Sequence, residues 1–489
     1  MIDLKQLREN PSKFIDGAKA KGVTVDIPRL VTLDEQKRAA TSEREKLRAE
    51  QNRLSKEAGP MIGKIQGQLK SAQGDDKARL ERELDELKSK PAKMKGEIQA
   101  LEAKEVELEA QIREILLVVP QPPDADVPRG VGSEGNIELR RWNAPKSALL
   151  PNGFDTTKSF EANKGFKPKT HLDLVRDLKL ADFERGVKLA GSRSYILTGD
   201  GFRLHLAVQR YAVDFMTEKH GFVPMSVPTL VREETMVGTG FFPAGREQAY
   251  QVEESKRGGG YDLFLTGTGE VGLMGVHMDE ILDEAQLPIK YVTVSPCYRR
   301  EAGAAGKDTA GLYRIHQFDK VEQVVICRAD EAESRAWHKK MIGYVEELLQ
   351  SLEIPHRLLQ CCTGDLGVKN ADMVDIESWM PGRVDMPYNH SKGGAYEKFD
   401  TEEERSKGWG ETHSASRLYD FQCRRLNMRY RPGGAGGKGD TIVCHSLNNT
   451  VLASPRFLIP LLEIHQQADG TVAIPEPLRK YMGEKTKIG

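Results

Sequence analysis

The chain has 489 residues, with 72 Lys plus Arg against 73 Asp plus Glu and a formal net charge of −1. That balance excludes a bulk polybasic protein, so any nucleic-acid contact has to come from a local patch. No run of about 18 apolar residues occurs and the start, MIDLKQLREN, lacks a basic segment followed by an apolar one, so neither a spanning helix nor a secretory leader is expected.

From Leu30 an apolar or small residue, or a polar substitute, recurs at Leu33, Lys37, Ala40, Arg44, Leu47, Gln51, Leu54, Ala58, Met61 and Ile65. This alternation of three and four is a heptad seam. SAQGDD interrupts it, and a second seam follows through Leu80, Leu84, Leu87, Met94, Ile98, Leu101, Leu108, Ile112 and Ile115. Two heptad helices joined by a short polar turn predict an antiparallel helical hairpin, an arm of roughly 60 Å at 1.5 Å of rise per residue. Pro91 is expected to interrupt and kink the second helix. The first helix is basic, with Arg38, Arg44, Lys46, Arg48, Arg53, Lys56 and Lys64; the end of the second, Glu97 to Glu114, is acidic. Such a helix serves either as a solvated coiled-coil face or as a grip on phosphates.

VPQPPDADVPRGVGSEGN ends the helix and marks a boundary. Three segments are predicted: 1–118 with the arm, 119–169 as linker and start of the next unit, and 170–489. In the last, YVTVSPCY, KVEQVVIC and DTIVCHSL read as strands between helical stretches at 204–219, 271–285 and 331–353. Strands linked as hairpins predict an α+β fold with a largely antiparallel sheet. The six cysteines form no Cys-x-x-Cys pair, which fits reduced thiols of a cytoplasmic protein.

The stretch PCYRREAGAAGKDTAGLYRIHQFDKVE joins two of these strands through a glycine-rich loop. Alternation along a strand puts Arg314, His316, Phe318, Lys320 and Glu322 on one face, and Arg299 with Glu301 on one face of the other strand. Arginines offer paired donors to phosphate oxygens, a ring can stack on a purine and a carboxylate can receive an amine. The hairpin therefore has the chemistry of a nucleotide site; the blander alternative is a surface hairpin with cross-strand ion pairs.

This Arg-x-Glu, loop, Arg and Phe pattern resembles motif 2 of the class II aminoacyl-tRNA synthetases. The chain as a whole resembles the seryl-tRNA synthetases. The opening MIDLKQLRENP, the two-helix arm, GSRSYILTGDGFRL, GFVPMSVPTLVREETMVGTGFFP with Pro228 in the motif 1 position, LTGTGEVG, ETHSASRLYDFQCRRLNMRYR and LNNTVLASPRFLIPLLEIHQQADGTVAIPEPLRKYM with the motif 3 Arg456 occur in the family's order. The resemblance implies the class II antiparallel sheet flanked by helices, preceded by a coiled-coil arm. It implies activation of L-serine with ATP and transfer to the end of tRNA(Ser), with tRNA(Sec) as a second candidate substrate. It also implies a homodimer, since motif 1 forms much of the family's interface, and an arm that grips tRNA.

By the same resemblance, Arg299, Glu301 and Arg456 are the catalytic set. Arg299 would hold the α-phosphate, Glu301 would sit near the adenine amino group and Arg314 would contact the terminal phosphate, with Arg300 and Ile315 also in the ATP site. Phe318 and Arg456 sandwich the purine. Glu411, Thr412, His413 and Ser414 complete the ATP site, and Glu411 with Ser414 would hold Mg²⁺, a hard cation suited to oxygen ligands. Thr268, Gly269, Glu270, Glu322, Asn448 and Thr450 would hold serine. No protein base stands out for the transfer step.

Three features depart from the family's pattern: His413 where a serine is usual, Pro455 before Arg456 where many members carry glycine, and a stretch of about 383–409 that looks like an insertion. RPGGAGGKGD lacks the spacing of a nucleotide-binding P-loop and reads as a hairpin loop. The alternatives to a ligase are a catalytically silent, synthetase-like tRNA-binding protein, which would be expected to lose Arg299, Glu301 or Arg456, a relative that loads a carrier protein and lacks the arm, and a plain coiled-coil protein, which would lack the large second unit.

Overall fold

The computed structural model describes residues 1–302, 311–384, 406–433, 437 and 439–489. The chain divides into two compact units, one formed by Leu4–Ile15 with Thr24–Val119, the other by Met1–Asp3, Asp16–Val23 and Pro120–Gly489.

In the first unit, helices α1 (Ile27–Leu69) and α2 (Asp75–Val118) form the expected hairpin. Asp26 caps α1 by accepting from the Arg29 N–H, so one of the unpaired amides of the first turn is satisfied. Gly74 (φ 61°), a conformation that suits glycine, immediately precedes α2. The polar occupants of the α1 seam find partners on α2. Lys37 pairs with Glu109 at 3.3 Å, Arg44 with Glu105 at 2.7 Å, and the Gln51 amide donates to the Pro91 carbonyl at 3.0 Å. These pairs pin the antiparallel register, a known use of polar residues in a seam. Two details differ from the sequence reading. Met61 is 49% exposed while Ile62 turns inward, because two steps of four, Leu54 to Ala58 to Ile62, let the 3.6-residue helix catch up with the seam. Pro91 does not interrupt α2, which continues as one helix through it.

The second unit is built on an eight-stranded sheet. Its strands are β1 (Ile137–Trp142), β2 (Val223–Met225), β3 (Ile289–Tyr298), β4 (Gln317–Cys327), β5 (His356–Gln360), β6 (Asp372–Trp379), β7 (Trp409–Tyr419) and β8 (His445–Ser454). The spatial order is β1-β5-β6-β7-β8-β4-β3-β2, antiparallel throughout except for β2 against β3. This is the α+β architecture expected. The segment 120–169 belongs to this unit and supplies the edge strand β1.

One face of the sheet packs on α3 (Gly199–Asp214), α5 (Glu331–Ser351) and α6 (Leu458–His465). Val321, Val325, Val374, Ile376, Leu447 and Leu452 from the strands meet Leu204, Val208, Met341, Val345 and Leu461 from the helices. Burying each such side chain contributes about 1.5–3 kcal/mol before chain entropy is charged against it. The opposite face carries a smaller apolar cluster around Val324, Ile326, Leu273 and Met274, and beyond it polar side chains replace apolar ones. A short helix, α4 (Glu270–Gly275), lies on that second face. The expected insertion falls mostly outside the described residues, as does part of the RPGGAGGKGD loop; Pro381–Arg383 forms a single turn where the insertion begins, and Trp409, at its end, opens β7.

Candidate active site

The β3–β4 hairpin pairs Phe318 with Cys297, Lys320 with Ser295 and Glu322 with Thr293. Phe318, Lys320 and Glu322 therefore share a face, and Lys320 Nζ stands 2.5 Å from Glu322 Oε2. The strands are shorter than the sequence reading made them. β3 ends at Tyr298 and β4 begins at Gln317, so Arg299, Glu301, Arg314 and His316 lie beyond the ladder and owe their positions to local contacts. Glu301 adopts φ 52°, uncommon for a side-chain-bearing residue. The Arg299 guanidinium carbon lies 5.3 Å from the Phe318 ring centroid, and its Nε donates to the Gly267 carbonyl at 3.3 Å.

Two β-bulges decide which residues of the central strands face this hairpin. Between β4 and β8, Glu322 pairs with Thr450 and Val321 with Leu452, leaving Val451 as the extra residue. Asn448, Thr450 and Ala453 thus all face the site, and Asn448 Nδ2 donates to Glu322 Oε1 at 3.1 Å. Between β6 and β7, Glu377 pairs with Glu411 and Ile376 with His413, leaving Thr412 as the extra residue. Ser414 pairs with Asp375. Since Ile376 belongs to the helix-packed core, its partner His413 points there too, with its ring 6.1 Å from that of Phe457. Burial lowers the His413 pKa to about 3, so the ring is neutral. The Thr412 hydroxyl bonds Ser378 Oγ at 2.8 Å.

These elements enclose a cleft of about 600 Å³ lined by Arg299, Glu301, Arg314, Glu411, Arg456, Phe241, Gln248 and Gly267. It continues into a narrower recess walled by Phe318, Ile315, Tyr313, Lys320, Thr412, Thr450 and Ala453. Arg456 is braced by Nε donating to the Tyr313 carbonyl at 2.9 Å and Nη1 to the Glu411 carbonyl at 3.0 Å. Its guanidinium lies 4.3 Å from the Tyr313 ring centroid, with Arg383 at 4.7 Å from the same ring. The Glu411 side chain is 49% exposed. Behind it, burial and then the Glu411 charge raise the Asp375 carboxyl, which also bonds Ser414, well above the ordinary range.

Beside the cleft stands a second group. Gly269 precedes α4, where a Cβ would come within 2.5 Å of Thr293 and 3.0 Å of Ser295, so only glycine lets α4 start this close to the sheet. Thr268 Oγ1 accepts from the Glu270 N–H at 3.2 Å. Glu270, only 2% exposed, accepts from Lys369 Nζ at 2.6 and 2.7 Å and from Gln422 Nε2 at 2.7 Å.

The family resemblance pointed to most of these residues, but two do not send their side chains to the cleft. Arg300 donates to the Glu247 carbonyl at 3.3 Å and lines a separate shallow depression with Pro243 and Arg246, and His413 faces the core. Conversely, Lys369, Gln422, Tyr313 and Arg383 were not anticipated, and Lys320 was expected on this face but given no role. Lys320 was legible from its alternation with Phe318 and Glu322. Gln422 lies within the stretch ETHSASRLYDFQCRRLNMRYR but was given no role there, and Lys369 comes from a distant segment with no local pattern to betray it.

The N-terminal segment 1–123 matches the seryl-tRNA synthetase N-terminal domain, and 250–465 matches the tRNA synthetase class II core domain of the Gly, His, Pro, Ser and Thr group. A serine–tRNA ligase of Deinococcus radiodurans is 37% identical over 489 residues, covering 100% of this chain and 99% of that protein. The chain belongs to the seryl-tRNA synthetase family. A serine–tRNA ligase of Fervidobacterium nodosum is also 37% identical, over 99% of this chain and 98% of that protein. Among solved structures, the seryl-tRNA synthetase of Pyrococcus horikoshii, complexed with ATP, superposes with a TM-score of 0.80 at 35% identity, covering 100% of this chain and 99% of that one. The cytoplasmic enzyme of Naegleria fowleri, in complex with AMP, gives 0.78 at 27% identity, covering 100% and 98%. Strands β3 to β8, with the bulges in β7 and β8, fall within the matched class II core.

Proposed function

We propose that the cleft is where this serine–tRNA ligase joins L-serine to ATP before serine passes to tRNA. The observation that carries the reading is the convergence of Arg299, Glu301, Phe318, Glu411 and Arg456 on one cleft, next to a polar pocket holding Glu270, Glu322, Asn448 and Thr450. Arg299, Arg314 and Arg456 supply positive charge for the phosphates, and Phe318 with Arg456 offers faces for the purine. The serine carboxylate is already a competent nucleophile near neutral pH. The barrier is the approach of two anions and the charge of the departing pyrophosphate, so arginines held in place before the reaction lower it by electrostatics and positioning, without a protein base. Arg300 and His413 turn their side chains away from the cleft and take no side-chain part in the reading.

The oxygen-rich, partly exposed Glu411 with Ser414 and Asp375 behind it fits a hard divalent cation. Glu411 and Ser414 would hold Mg²⁺, which would supply charge neutralisation of the phosphates.

In the other substrate pocket, Glu270 and Glu322 receive the serine ammonium, while Thr450, Thr268 and Asn448 address its hydroxyl. A pocket that hydrogen-bonds a hydroxyl rejects alanine strongly, because its polar groups would be left unpaired. The basic face of α1 grips tRNA(Ser) through phosphate and shape contacts, and tRNA(Sec) is a candidate for the same arm. Exposed Phe202, Leu206, Val223 and Val294, at 44–54% exposure and partly on the edge strand β2, support the homodimer. No helix among the described residues is long and apolar enough to cross a membrane, and a cytoplasmic location belongs to the same reading.

Pyrophosphate exchange into ATP, with each amino acid added singly in the presence of Mg²⁺, tests the reading. Exchange driven by serine and lost in Arg299→Ala is expected. Exchange driven by another amino acid, or undiminished in Arg299→Ala, would sink it.

A further inference from the structure

The pocket proposed for the serine ammonium has both of its carboxylates already taken by lysines. Lys369 Nζ lies 2.6 Å from Glu270 Oε1 and 2.7 Å from Oε2, and Gln422 Nε2 occupies Oε1 as well at 2.7 Å. Lys320 Nζ forms an ion pair with Glu322 Oε2 at 2.5 Å without hydrogen-bond geometry, and Glu322 Oε1 accepts from Asn448. A carboxylate oxygen offers two lone pairs, so Oε1 of Glu270 is full and Oε2 has one site left. An arriving ammonium would have to share that oxygen with a like charge a few ångströms away, in a place where water cannot screen the repulsion.

The two lysines differ in their alternatives. Lys320 is 6% exposed and belongs to the ladder of β4 between β3 and β8. Lys369 sits in a loop, and its Nζ is already 4.0 Å from the centroid of Phe241, a ring that lines the open cleft. An aromatic face attracts a cation weakly, so the Lys369 ammonium keeps one partner when it leaves the carboxylate. The loop itself is fixed: the Lys21 ammonium donates to the carbonyls of Gly367, at 2.9 Å, and Asn370, at 2.5 Å, the Gln121 N–H donates to the Val368 carbonyl at 2.8 Å, and Asn370 Nδ2 bonds Ser416 Oγ at 2.8 Å. Movement is therefore confined to the Lys369 side chain.

We propose that Lys369 is a specificity-determining stand-in for the substrate ammonium: it holds Glu270 until serine arrives and takes Glu270 over, while Lys369 keeps its contact with the Phe241 ring. This rests on the assignment of Glu270 to the serine ammonium. The stand-in lowers serine affinity and competes with other small cations for Glu270.

Serine and glycerate, which replaces the ammonium by a hydroxyl, test this in the exchange assay. In Lys369→Met the serine KM is expected to fall at least threefold with the ATP KM unchanged. Glycerate is expected to inhibit the unaltered enzyme within about tenfold of the serine KM, because Lys369 stays on Glu270 when no ammonium arrives, and to weaken in Lys369→Met. A serine KM that is unchanged or raised in Lys369→Met overturns the proposal. Should that variant fail to fold, glycerate more than a hundredfold weaker than serine on the unaltered enzyme overturns it equally. Glu270→Gln separates the two readings. A raised serine KM there, with the Lys369 result negative, removes only the stand-in; an unchanged serine KM removes the ammonium pocket and the stand-in with it.

Discussion

His316 holds both backbone groups of Arg299. Its carbonyl accepts from the Arg299 N–H at 2.9 Å, and its ring Nδ1 stands 2.9 Å from the Arg299 carbonyl. A carbonyl only accepts, so Nδ1 carries the proton. The two residues sit just past the ends of β3 and β4, where the ladder no longer sets their positions.

His316→Ala should therefore misplace Arg299 without disturbing the core, since His316 is not among the core residues. We expect serine-dependent exchange to fall roughly 10- to 100-fold, the scale of a displaced catalytic group, with the melting temperature nearly unchanged. Full activity in this variant would show that the ring bond is dispensable and that the main-chain bond to residue 316 and the Gly267 contact suffice to place Arg299.

Thr450 reaches the site face only because Val451 is the extra residue of the bulge. Thr450→Ala removes one hydroxyl from the pocket proposed for serine, and loss of a hydrogen bond of about 1–1.5 kcal/mol is expected to raise the serine KM about tenfold. The ATP KM should move less. The reverse order, read from exchange kinetics with each substrate varied in turn, would take Thr450 out of the serine pocket.

The arm forms its own unit with its own seam. Deleting 36–112 is expected to spare adenylate formation and to weaken charging of tRNA. Reversing the exposed charges Lys46, Lys56 and Lys64 in the intact chain should weaken tRNA binding and flatten its dependence on salt by about one unit of slope for each phosphate no longer neutralised. Equal loss of adenylation and charging in the folded deletion variant would refute the separation.

Acid should destabilise the second unit through two buried imidazoles. Burial lowers His413 to about 3 and His465 to about 4, from an ordinary value of 6.5. Between those limits the unfolded chain binds protons that the folded one refuses, so stability rises with pH; it is complete above pH 6.5 and falls as pH drops toward 4. His413→Leu should flatten that slope by about 1.4 kcal/mol per pH unit, measured as urea unfolding between pH 6 and 4.5. An unaltered slope would mean that His413 is protonated in the fold.

Much of the site was legible in the sequence. The heptad spacing announced the arm, alternation placed Phe318, Lys320 and Glu322 together, and the ordered motifs brought Arg299, Glu301, Glu411 and Arg456 into one expected cleft. The errors have a common origin. Counting by twos carried Arg314 and His316 onto a strand that starts at Gln317, and counting by threes and fours put Met61 in a seam that Ile62 fills.

Local periodicity, turn chemistry and motif order are properties of neighbouring residues, so the chain by itself determined the helical arm, the antiparallel α+β core and the family. Which side chains meet was settled only by tertiary structure. The bulges at Thr412 and Val451 rotate the residues beyond them, sending His413 to the core while keeping Thr450 on the site face. Lys369 and Gln422 reach Glu270 from 99 and 152 residues away. Contacts at such separations cost loop-closure entropy and form only when the whole sheet is in register, and no short-range pattern in the sequence records them.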